Sequence, residues 1–577
     1  MSPLNLCSKW RNPTFHRLAI LPLLAALFIV PASSAPSKIS EQIKRADANK
    51  PLDVIVQYIV AATENDKSKL TGKGAIVTGS FDKVKSVAYR VNPRELTVLE
   101  SDTGVLYVAP VREIKAHMLS TAVQTTGAYI APSYGLTGAG IGVAVIDSGV
   151  SLHPDLKQAN CTGSRIVYSQ NFLTTETGTA DAYGHGTHIA SIIAGNGLCT
   201  GTSASLPRMA GIAPAANVVN LRVLNSFGIG TDAGVIAAIN RAIELKATYN
   251  IRVINLALGR FIGESYQLDP LTQAVEAAVN AGILVVSSAG NFGRNTLYDL
   301  NGYGSLTSPG NHPLALTVGA MNMKSTTPRS DDVITSFSGK GPSALDHIVK
   351  PDIVAPGNWI GAANVPGSTL ANLFPGNLVG GGYPSGSYIS LSGTSMAAPM
   401  VSGAAVLLFQ QTPALTPAQA KARLMRTSSK TFPSPETYTV FGSSVPLVCY
   451  YDPFTIGAGY LDILAALNDT ATSTAGALSP AVAHTGSNVI LIDAPSTKKS
   501  QKVTWNNVAP SIYGSLNVSS NTLLGATGKA WGDTSVSGFS VLWGESVLWG
   551  DSVLWGDSVL WGGSILWGDV IQLGDSR

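Results

Sequence analysis

Charge is scarce in this chain. Asp, Glu, Lys and Arg make up 13% of its 577 residues, about half the share of an ordinary soluble domain. The formal net charge is +3 and no Lys/Arg-rich stripe appears, which counts against a nucleic-acid partner. Cysteine is scarce too. Its four copies, at 7, 161, 199 and 449, lack the close spacing of a metal site, so zinc is not indicated. Long apolar runs are also missing. LAILPLLAALFIVPA (18–32) holds 15 residues and two prolines, short of the ~20 needed to cross a bilayer. What the chain has instead is 45% hydrophobic residues, enough for large cores, and a length that accommodates two or three domains.

The apolar run has a different reading. Lys9, Arg11 and Arg17 lie before or at its edge, and the small residues Ala32, Ser33, Ser34 and Ala35 close it. Basic, apolar and small regions in that order make a secretion signal, so residues 1–35 are expected to be a signal peptide. The product is then secreted, cell-surface or periplasmic, with no membrane span in its mature form; an uncleaved anchor is the alternative. Cys7 leaves with the leader, and three remaining cysteines allow one bridge and one spare.

Three short islands carry chemistry: VAVIDSGV around Asp147, YGHGTH around His185, and SGTSMAAP around Ser395. A serine hydroxyl is a poor nucleophile unless a base stands within hydrogen-bond reach. His185 is the candidate base, and its ring needs a buried acceptor to fix one tautomer, the role open to Asp147. VAVID reads as a buried strand delivering a carboxylate at its end, and HGTHIASIIAG as a helix start. SGTSMAAPMVSGAAVLLF is apolar on every face, which predicts a fully buried helix starting at Ser395, with Pro399 tolerated in its first turns. The order Asp, His, Ser differs from the His, Asp, Ser and Ser, acid, His orders of two other solutions.

The islands together resemble the subtilisin-like serine proteases, the subtilases. That resemblance implies a secreted serine endopeptidase in which Asp147, His185 and Ser395 form the triad. In G-H-G-T-H the first histidine matches the family's base, which leaves His188 a structural role. GILVVSSAGN resembles the strand that delivers an oxyanion-hole asparagine, here Asn291, to pair with the backbone N–H of Ser395. VINLALGR (253–260) is similar to the strand that pairs with extended substrate. It offers Ala257, Leu258 and Gly259 as one pocket wall, with Gly259 keeping room for a substrate backbone. Ser288, Ala289 and Gly290 form the opposite wall. These walls are small and uncharged, so a broad apolar or aromatic preference at the cleavage point is expected. Acid-active serine-carboxyl proteases share the broad fold, but they place Glu and Asp where His185 and Asn291 stand here. The favoured bridge is Cys161–Cys199, which flanks the helix of His185. No cofactor is required for the chemistry. The loop 198–211, where many relatives bind calcium, has no Asp or Glu, so structural calcium is doubtful; backbone carbonyls are the remaining ligands.

The expected fold class is α/β, a subtilisin-like parallel sheet wrapped by helices. A small α+β prodomain should precede it and a β-type repeat tail follow. Residues 36–118 loosely resemble the family's propeptide, an intramolecular inhibitor. The peptidase domain spans 119–467, a linker or small β region 468–539. The tail, 540–577, repeats SVLWGD-like hexapeptides with tryptophan at 543, 549, 555, 561 and 567. Each unit is too short to bury its own face, so the units should stack on one another or on a partner, which the sequence leaves unknown. A surface adhesion or binding protein acting through WGD repeats is the alternative to a peptidase acting on proteins or peptides.

Overall fold

The computed structural model describes most of residues 38–492 and the strand 565–568. Outside it lie 1–37, 493–564, 569–577 and internal stretches, the longest being 111–116, 201–208, 294–302, 380–386, 439–446 and 471–477. The expected signal peptide, most of the calcium-candidate loop and nearly all of the repeat tail are therefore outside the described residues. Two compact units divide between Ile114 and Lys115.

The first unit is a four-stranded antiparallel sheet in the order Ile76–Phe81, Ser86–Val91, Leu52–Tyr58, Val105–Pro110. Val54, Val56 and Tyr58 alternate inward along the central strand and pack with Leu70, Leu96 and Leu99. Period-two burial of this kind is what a one-sided sheet requires.

The second unit begins with the short strand His117–Met118, just before the expected boundary at 119. Its main elements follow in chain order. They are β1 (Gly142–Asp147), β2 (Ile166–Asn171), α1 (His185–Ala194), β3 (Asn217–Arg222), β4 (Ile229–Thr231) and α2 (Asp232–Tyr249). Next come β5 (Ile251–Leu256), β6 (Leu258–Phe261), α3 (Pro270–Asn280), β7 (Leu284–Ser288) and β8 (Thr307–Ser308). Then follow β9 (Leu316–Asn322), β10 (Val333–Ile334), β11 (Ile353–Pro356), β12 (Ile360–Ala363), β13 (Tyr388–Leu391), α4 (Thr394–Gln411) and β14 (Ile565–Gly568).

The central sheet runs β10-β9-β7-β5-β1-β3-β2 with β11 beside β9, and its neighbours are parallel except at β10. Both faces are covered. Val143 and Val145 of β1 pack with α1 and α4, whereas Ala144 and Ile146 pack with α2 and α3. Val143, Val145 and Ile146 each contribute roughly 1.5–3 kcal/mol by leaving water. Asp147 continues the 143, 145 register and so belongs to the face of α1 and α4.

Helix α4 is buried from Thr394 to Phe409, as its all-round apolar sequence requires. Pro399 is a correction. It is the sixth helical residue, beyond the first-turn positions where proline costs nothing, and it lacks the N–H that would donate to the carbonyl of residue 395. The body also continues past the expected end at 467: Leu478, Ser479 and Ala481 are buried, and Val349 N–H donates to Pro480 O at 2.8 Å.

Candidate active site

Asp147 ends β1 with no exposure, and its Oδ1 accepts from Ser148 N at 2.7 Å and from His185 Nδ1 at 2.8 Å. The imidazole starts α1, a helix whose N-cap Gly184 supplies no side-chain cap. Gly186 explains the G-H-G spacing: a Cβ there would lie 2.1 Å from Gly149 O, so only glycine lets the helix start approach the Asp147 loop.

Asp181, four residues before His185, was not picked out by sequence. It is fully buried and accepts from Ser148 Oγ at 2.8 Å, Gly184 N at 2.7 Å and Thr187 N at 2.8 Å. Ser148 Oγ in turn accepts from Gly186 N at 2.9 Å. This carboxylate therefore ties the Asp147 turn to the first turn of α1. Burial pushes its pKa up while those donors oppose the rise. The only earlier signal was a lone acid in DAYGHGTH, which sequence cannot separate from an ordinary loop residue.

His188 points elsewhere. Its Nε2 sits 3.0 Å from Ile360 O and 3.1 Å from Ile389 O, bridging β12 and β13, and burial together with the nearby His185 pulls its pKa down to about 3. It is a neutral structural histidine.

Ser395 is the second residue of α4, 1% exposed, and its Oγ donates to Ala257 O at 3.1 Å. Asn291 follows β7, and its Oδ1 accepts from Thr394 N at 2.9 Å and Thr394 Oγ1 at 3.0 Å. Those two donors fix the amide so that Nδ2 faces the serine turn, 3.2 Å from where a Cβ on Gly393 would stand. Asp147 and His185 are thus joined directly, and Ser395, Asn291 and Ala257 meet at the start of α4.

The two stretches expected to wall a pocket also come together, through a residue the sequence reading missed. A Cβ on Gly259 would lie 2.6 Å from Thr307 Oγ1, and one on Gly290, whose φ is +92°, would lie 2.7 Å from Thr307 Cγ2. Thr307 therefore stands between Ala257–Leu258–Gly259 and Ser288–Ala289–Gly290. Contact with Thr307 is a further reason for glycine at 259. Thr307 Oγ1 and Ser288 Oγ are buried without hydrogen-bond partners.

The wall strand β6 is tied to its surroundings by charge. Arg260 Nε donates to both oxygens of Asp232 at 3.0 Å, and its second nitrogen to Asp269 at 2.8 Å. Asp232 opens α2 immediately after β4, so the pair links β4 to β6.

Cys161 and Cys199 are joined as a disulfide beside α1. Among the described residues no group of three acidic, histidine or cysteine side chains is arranged to hold a metal ion. Among them, too, no helix is long and apolar enough to cross a membrane.

Known proteins are similar to this chain. The sequence signature of the Subtilase family matches residues 138–444. Serine protease AprX of Bacillus subtilis (strain 168) is 35% identical over 364 residues, covering 61% of this chain and 75% of that protein. Subtilisin E of Bacillus subtilis (strain 168) is 30% identical over 415 residues, 71% of this chain and 93% of its own. Among solved structures, a cold adapted subtilisin-like serine proteinase is 29% identical with a TM-score of 0.37, over 51% of this chain and 84% of that one. The family match spans more than half of the chain, and 93% of subtilisin E is covered at 30% identity. The chain therefore belongs to the subtilase family and is a serine endopeptidase with a subtilisin-type Asp-His-Ser triad.

Proposed function

We propose that Ser395 is the nucleophile, His185 the general base, Asp147 its orienting acid and Asn291 the oxyanion donor. The observation that carries this assignment is the buried 2.8 Å contact between His185 Nδ1 and Asp147 Oδ1. It holds the ring in the tautomer that leaves Nε2 to take the serine proton. Ser395 Oγ attacks the substrate carbonyl, and its proton passes to His185 Nε2. The developing oxyanion receives the Asn291 amide and the Ser395 backbone N–H. The imidazolium then protonates the leaving amine, and water hydrolyses the acyl-enzyme by the same relay.

Extended substrate adds as a strand between β4 and β6, with specificity limited to uncharged residues at the cleavage point. The small walls support a broad preference, and Thr307 between them limits the size accepted. Residues 1–35 direct export, and residues 36–118 act as an inhibitory prodomain removed on maturation. The separate sheet and core of the first unit support that reading. A fluorophosphonate probe tests the assignment. It should label the native chain, and Ser395→Ala should lose both labelling and hydrolysis while accumulating unprocessed precursor. Labelling that survives in the Ser395→Ala chain would overturn it.

A further inference from the structure

The tail repeat and the substrate cleft meet in one sheet. Strand β14, residues Ile565–Gly568 of the last tryptophan-bearing repeat, lies between β4 and β6 in the order β8-β6-β14-β4. Against β6, Leu258 pairs with Gly568 and Gly259 with Trp567. Against β4, Thr231 pairs with Ile565, Gly230 with Leu566 and Ile229 with Trp567. Both pairings are antiparallel. The carboxyl end of β14 thus stands at Leu258, next to Ala257, whose carbonyl accepts from Ser395 Oγ at 3.1 Å. The strand runs toward the nucleophile.

We propose that the C-terminal hexapeptide repeats are an intramolecular ligand of the chain's own substrate cleft, an occluding strand that competes with peptide substrate. The proposal rests on reading that cleft as the substrate site. Backbone pairing explains why the tail fits, because a strand inserted between two edges satisfies both with main-chain hydrogen bonds. Repetition explains why it persists. ILWG at 565–568 has near copies as VLWG at 541–544, 547–550, 553–556 and 559–562, so a neighbouring copy can replace any one that leaves. Tethering raises the local concentration of each copy, and the chain between Ile492 and Ile565 supplies the reach.

The test uses the full chain. Proline in place of Trp543, Trp549, Trp555, Trp561 and Trp567 removes the N–H at the paired position of every repeat and disfavours the strand. On chains whose mass shows an intact tail, wild type should have a KM about 2- to 10-fold above the five-proline variant, with kcat equal, given an effective tail concentration near the millimolar range. A synthetic SILWGDV peptide should inhibit the variant competitively. Equal KM values without inhibition by the peptide would overturn the proposal. Binding of fluorescently labelled SILWGDV to the Ser395→Ala form of the variant reads the contact without catalysis, and absence of binding overturns it too. Binding with no hydrolysis by either unblocked chain would leave the strand contact standing and refute the peptidase assignment instead.

Discussion

Replacing Asp352 by asparagine isolates a cluster of three buried charged groups in the second unit. Asp352 is wholly buried at the amino end of β11. Its Oδ2 accepts from Lys350 Nζ at 2.7 Å and Thr317 N at 2.7 Å, and its Oδ1 faces Lys421 Nζ at 3.1 Å. Lys421 also donates to Pro313 O at 2.8 Å, Ala315 O at 2.7 Å and Ser479 Oγ at 2.8 Å. One carboxylate therefore serves two buried lysines. Removing it leaves Lys350 and the charged fraction of Lys421 without a counter-ion, a loss of about 3–5 kcal/mol at neutral pH. The pH dependence identifies the cause. Burial pulls Lys421 down to about 7 from the ordinary 10.5, with Asp352 opposing the fall, and it lowers Lys350 as well. A base depressed in the folded state binds fewer protons than the unfolded chain between those two values, so its contribution to stability rises with pH there. Without Asp352 both lysines fall further and must enter the fold uncharged, at about 1.36 kcal/mol for each pH unit below the unfolded pKa. The penalty in Asp352→Asn should thus be larger at pH 7 than at pH 10. Urea denaturation at both pH values, in a Ser395→Ala background to prevent self-digestion, measures it. A cost below about 1 kcal/mol, or one independent of pH, would refute the charge argument.

Three further outcomes are expected. Asn291→Ala should lower kcat about 100- to 1,000-fold with little change in KM, the size known for the equivalent donor in a family relative; a purely KM effect would remove Asn291 from the oxyanion site. The Cys161→Ser/Cys199→Ser pair opens a link across 38 residues and should cost about 4 kcal/mol, read as a shorter half-life on heating, with an unchanged half-life counting against it. Thr307→Gly should deepen the pocket and raise kcat/KM for phenylalanine over alanine at the cleavage point by about 10-fold or more, at ~1–3 kcal/mol per added methylene. An unaltered ratio would show that Thr307 does not bound the pocket.

The parts legible in sequence were those encoded locally. VAVID, HGTHIASII and the apolar run after Ser395 each set out their own element, because burial on two faces leaves a continuous hydrophobic signature. The residues that escaped act across the fold. Asp181 acquires meaning only when its oxygens meet Ser148, Gly184 and Thr187. Thr307 lies in a stretch with no recognisable pattern and matters because two glycines close on it. Lys350 and Asp352 lie two residues apart just before β11, and Lys421 joins them from the helix Pro417–Thr427, far away in sequence. The repeat period was plain in the tail, but a period carries no information about which edge its strand will meet.

The salt bridge from Arg260 to Asp232 has a consequence for which proteins this enzyme can cut. It rivets the two cleft edges at a separation that admits one extended chain, roughly two strand spacings of 4.8 Å. An intact helix, about 10–12 Å across with its side chains, does not enter such a slot. A folded victim must first release several residues from its own structure, so its digestion rate follows how often that stretch opens. If the slot is the substrate cleft, as proposed, the enzyme would cut unfolded chain faster than folded chain.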